Sequence, residues 1–117
     1  MPLSDNKATP ETALTQVLTA FGHGVGGLYI SHGAAKAGVE RFRPVIEKGI
    51  DEWDANLPSL MAYATMIGRM TAHHTLARGS ITVTARDFLE GLKRIEEQAR
   101  KEKSFLGGCP FFHFHKH

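Results

Sequence analysis

The 117-residue sequence has one cysteine, Cys109, and one tryptophan, Trp53. A lone thiol closes no intramolecular disulfide, so a disulfide framework is excluded and a reducing, cytoplasmic setting is expected. Long apolar runs are missing too. The longest candidate, residues 13–39, is interrupted by Gln16, His23, six glycines, His32 and Lys36, which rules out a membrane helix there. The polar stretch from Met1 to Pro10 lacks the apolar segment of a signal peptide and reads as a frayed arm. No charge of one sign dominates: 14 Lys and Arg stand among 12 Asp and Glu, for a net charge of +2, so nothing resembles the basic block of a nucleic-acid binder.

Catalytic signatures are also wanting. Glu40, Glu47, Asp51 and Glu52 cluster in one helical region, but no Glu-x-x-His pair accompanies them as a di-iron bundle requires. Gly22-His23-Gly24-Val25-Gly26-Gly27 spells G-x-G-x-x-G, yet a helix and not a strand is expected before it. A hinge between helices, with glycines permitting close helix approach, is the expected use. No catalytic residue is assigned, and an enzyme is not the expected class.

What is present is an ordinary globular balance, with 42% apolar and 22% charged residues, which supports a packed core in one domain. Thr9-Pro10-Glu11 signals a helix start, and Ala13, Leu14, Val17, Leu18 and Phe21 carry that helix over 10–21. Small and apolar residues predict a second helix over 28–43, which Pro44 kinks or ends. Val45, Ile46, Ile50 and Trp53 continue the helical period to about 55. Asn56-Leu57-Pro58 restarts the chain into a helix to about Arg78, with Leu57, Leu60, Ala64, Ile67, Thr71 and His74 on its core stripe. Gly79 ends it. Ile81-Thr82-Val83-Thr84 is a short extended turn, and Thr84 with Asp87 caps a final helix over 85–103, in which Phe88, Leu92, Ile95 and Ala99 recur at helical spacing.

The run Thr82-Val83-Thr84-Ala85-Arg86-Asp87, followed by a helix containing Leu92-Lys93-Arg94, resembles the second half of a histone fold, over residues 57–103. The resemblance implies that the threonine-rich turn bridges to a partner's loop and that Asp87 caps the following helix. Two features depart from it: Pro58 in the preceding helix, and glycine-rich, proline-interrupted helices where that family has one short helix. DNA-facing arginines have no counterparts.

The densest chemistry is the C-terminal strip from Cys109 to His117. Cys109, His113, His115 and His117 are four ligands of the type that hold borderline or soft metals. In extended chain the three imidazoles share one side, and Phe112 and Phe114 the other. Cys109-Pro110 also resembles a Cys-Pro motif that ligates haem by thiolate. A solvated arm is the competing reading. Gly107-Gly108 permits the strip to fold back on the helices, where His73, His74 and His32 could complete a site. A hydrogen-bonded core histidine is the alternative for His74.

The sequence thus predicts an all-α bundle of four or five helices, with an arm at 1–9, a helical domain at 10–106 and a Cys/His/Phe-rich tail at 107–117. Its expected role is accessory or sensory, binding a transition metal (Zn, Ni, Cu or Fe) or haem through the tail. The rival expectation is a histone-fold-like dimerisation module, with or without DNA. A homodimer or protein partner is expected, and a membrane is not.

Overall fold

The computed structural model describes residues 9–48 and 53–101; residues 1–8, 49–52 and 102–117, and the side chains of 53–56, lie outside the description. The expected tail at 107–117 and nearly all of the arm at 1–9 therefore fall outside it. The described chain is an all-α bundle of four helices: α1 (Pro10–Val25), α2 (His32–Lys48), α3 (Trp53–Ala77) and α4 (Ala85–Lys101). Two short strands, β1 (Tyr29–Ile30) and β2 (Thr82–Val83), precede α2 and α4. None of the described helices is long and apolar enough to cross a membrane.

Helix α1 starts where the sequence says it should. The Thr9 hydroxyl accepts a bond from the Thr12 amide at 3.1 Å, and Pro10 takes the first helical position. The helix then runs past its expected end into the glycine segment, because Gly24 is a packing residue. A methyl group there would collide with the Thr65 carbonyl of α3, and one on Gly68 would meet the backbone of Phe21 and Val25. Of the two uses foreseen for these glycines, close helix approach is the one Gly24 serves. The hinge is confined to Gly26, whose φ of 82° ends the helix. The G-x-G-x-x-G letters so fall at a helix C-terminus, the wrong end for cradling phosphates.

The predicted second helix begins later than residue 28. Leu28, Tyr29 and Ile30 extend instead, and Ser31 caps α2 by accepting the Ala34 amide at 3.1 Å. Pro44 and Pro58 lie inside α2 and α3 without ending them. Both are on exposed faces, where water can take up the carbonyl bond that a proline leaves unmade.

The strands pair in parallel, Tyr29 with Thr82 and Ile30 with Val83. The Tyr29 amide donates to the Ile81 carbonyl and the Ser31 amide to the Val83 carbonyl, each at 2.9 Å. The extended turn at 81–84 thereby finds its partner within the same chain. Helix α1 packs chiefly on α3, α3 on α4, and α2 bridges α1 and α4. At the centre, Phe88 meets Phe21 and Phe42 edge-on, with ring centroids 5.4 and 6.2 Å away.

The order helix, strand, helix occurs twice, and several positions of the two copies recur at one fixed separation. Each strand residue pairs with the one 53 positions on, as in Tyr29 with Thr82. At the same separation stand the two positive-φ glycines, Gly26 and Gly79. So do the two caps, Ser31 on the Ala34 amide and Thr84 on the Asp87 amide. Two glycine contacts match as well: Gly38 lies against Leu18 and Gly91 against Thr71. The described residues thus form two similarly arranged halves, with α1 of one packed on α3 of the other.

Candidate functional site

The described residues contain one concentrated polar site, around Asp87 in the first turn of α4. Its carboxylate is fully buried. From the end of α3, Arg78 donates Nε to Oδ1 at 2.8 Å and Nη2 to Oδ2 at 2.6 Å, a two-pronged clamp. The Thr84 amide and hydroxyl donate to Oδ2 at 2.8 and 3.1 Å, and the Thr84 hydroxyl accepts the Asp87 amide in return. His74 Nδ1 lies 2.7 Å from Oδ1. The same Arg78 guanidinium reaches the Thr82 carbonyl at 2.8 Å. One carboxylate therefore fastens the end of α3, the β2 turn and the start of α4.

The charge balance follows from these bonds. The Arg78 guanidinium holds the Asp87 carboxyl well below the usual carboxylate range against the opposing effect of burial, helped by the Thr84 amide, His74 and Thr75. Because Asp87 is ionised, the proton shared with His74 belongs on Nδ1. The other ring nitrogen, Nε2, makes no bond to Asp87, and the His74 side chain is 27% exposed. A carboxylate-backed imidazole of this kind is how proteins orient a metal-binding histidine. It is equally a plain structural bond.

The other sequence-predicted residues are dispersed. His73 is exposed on α3, a neighbour of His74 in sequence but about 100° away around the helix. His32 is exposed at the start of α2. Among the described residues, no three His, Cys, Asp or Glu side chains converge as a metal site. Cys109, His113, His115 and His117 lie outside the described residues. His74 makes the hydrogen bond to Asp87 and is half-buried at the core's edge, while the tail that its other weighed identity, a ligand, would meet lies outside the described residues.

Arg78 is the residue that sequence reasoning passed over, as merely the last residue before Gly79. A signal existed: a basic residue closing one helix, nine positions before an aspartate already identified as a cap, can reach back to it across a tight turn. Comparison with protein-family models, with curated proteins and with solved structures gives no match for this chain.

Proposed function

We propose that the chain is an interaction module of the histone-fold type that assembles with a second copy of itself. The supporting observation is the arrangement around Thr82–Asp87. Thr82 and Val83 form a strand and Thr84 with Asp87 caps α4, in keeping with the resemblance of residues 57–103; the bond from Asp87 to Arg78 of the preceding helix is an addition to it. In that family the threonine-rich turn bridges to a partner's loop. Here the receiving loop, Tyr29–Ile30, belongs to the same chain, and residues 49–52 join the two halves. The same bridge made between two copies gives a dimer from contacts that the single chain already contains.

The test uses a Cys109→Ser background carrying either Tyr29→Cys or Thr82→Cys. The two variants are mixed, refolded together and treated with a short thiol cross-linker. A cross-linked heterodimer, and a dimeric mass at micromolar concentration, are the expected results. A monomeric mass with no cross-linked product contradicts the reading. Added duplex DNA that binds with a steep salt dependence places nucleic acid among its partners.

A second reading is favoured by His74, whose Nε2 is free among the described residues and whose Nδ1 is held by Asp87. In it, His74 joins Cys109, His113, His115 and His117 around a transition metal, with His73 and His32 as further ligands, or Cys109-Pro110 takes a haem thiolate position. Protein prepared without a metal column and then given Zn²⁺ or haem should show binding that Cys109→Ser weakens. No bound metal or haem, before or after addition, removes this reading.

A further inference from the structure

Helix α3 is covered by α1 on one side and by α4 on another, and its third face is exposed among the described residues. That face carries Ala62, Met66, Arg69, His73 and Leu76, with Met70, partly buried against the core, at its edge. Met66 and Leu76 are 42% and 56% exposed, among the few large apolar side chains that reach solvent. Methionines suit a surface that must fit an irregular apolar partner.

The sequence holds a matching apolar segment. Seven phenylalanines occur in the chain. Phe21, Phe42 and Phe88 are buried at the centre of the core, and the other four, at 105, 111, 112 and 114, all follow the last described residue, Lys101. The position of Lys101 favours a return to α3. Asp87 faces His74 and Arg78, and Gly91 faces Thr71, so α4 runs antiparallel to α3 and ends towards its N-terminal part. From there, Phe111 can lie up to about 33 Å away along extended chain. The distance along α3 from Met66 to Leu76 is only about 15 Å.

We propose that the segment from Phe105 to Phe114 of this same chain covers the exposed face of α3, with its phenylalanines against Met66, Met70 and Leu76. The proposal concerns packing: it stands apart from the first reading, and shares with the second only the return of the tail to α3, with no metal required. The cover buries the methionine face in the free protein, so any partner that uses this face must first displace the segment.

The native Cys109 provides the test. Full-length variants with a second cysteine at Met66→Cys, His73→Cys or Leu76→Cys are oxidised in metal-free buffer with a chelator, beside a Lys36→Cys control on the exposed side of α2. Intramolecular disulfides at the α3 positions, formed at least about tenfold faster than at Lys36→Cys and independent of protein concentration, are expected from burial of one or two phenylalanines. Adding Phe111→Ser and Phe112→Ser, which leaves the described core untouched, should abolish that difference. Equal rates at all positions overturn the proposal. Disulfides that form only between molecules overturn it as well, since the occupant is then the tail of a second copy.

Discussion

The two helix–strand–helix halves share their strand register, turn glycines and helix caps, and lock them with different chemistry. In the second half the lock is His74, Arg78 and Asp87; at the matching positions of the first half stand Phe21, Val25 and Ala34, all buried. The first half thus closes its strand turn by apolar contact, and the second by a buried carboxylate with charged and neutral donors. An apolar lock is indifferent to pH and tolerant of small changes in shape. A carboxylate lock is directional, since each donor must be in place, and it depends on ionisation.

The largest effect expected from this difference is at Asp87. Replacing it with alanine leaves the Thr84 amide, His74 and Arg78 without their acceptor, and should cost about 3 kcal/mol in urea unfolding. The matching change in the first half, Ala34→Gly, removes only a methyl group and some helix propensity, and should cost about 1 kcal/mol. Equal losses at the two positions would break the comparison.

Next in size are the glycines that face the neighbouring helix. A methyl group on Gly91 runs into the hydroxyl and backbone of Thr71, which cannot retreat, so Gly91→Ala should destabilise by roughly 1–3 kcal/mol. A methyl group on Gly38 comes to 3.4 Å from Leu18 Cδ2, the end of a flexible side chain. Gly38→Ala should therefore be neutral or stabilising, by up to about 1 kcal/mol, and thermal unfolding of the two variants checks both signs.

The smallest expected effect concerns the pair Leu18 and Thr71. The Thr71 hydroxyl is buried without a hydrogen-bond partner among the described residues, whereas Leu18 at the matching position is apolar. Thr71→Val should stabilise the protein by about 1 kcal/mol in the same unfolding assay. A loss of stability would show that the hydroxyl is needed.

These halves were unequally legible in the sequence. Helix α4 and the turn before it were readable because Phe88, Leu92 and Ile95 keep helical spacing and Thr84 with Asp87 forms a local cap, all signals within a few residues. Strand β1 was not, since Tyr29–Ile30, though of strand-favouring residue types, is only two residues long and forms by pairing with residues 53 positions away. The duplication was hidden for a related reason. It survives in Gly26 with Gly79, Ser31 with Thr84 and Gly38 with Gly91, while the locks themselves have opposite polarity. Pro44 and Pro58 misled because their cost depends on exposure, which a sequence does not state. At the candidate site, His74 and Asp87 were each singled out but the bond between them was not, because a bond from α3 to α4 is a tertiary fact.

The central claim is that an ionised Asp87 locks the second half. Its carboxyl is held below the unfolded-state value, so its contribution is full above a pH of about 4 and is lost as pH falls from there towards the folded-state value. The direct measurement is unfolding free energy from pH 6 to pH 2.5 for the wild-type chain and for Asp87→Asn. The account predicts a gap of about 2–3 kcal/mol at pH 6 that narrows steadily below pH 4 as the wild type loses its lock. A gap that stays constant across the range, or no gap at pH 6, would contradict it.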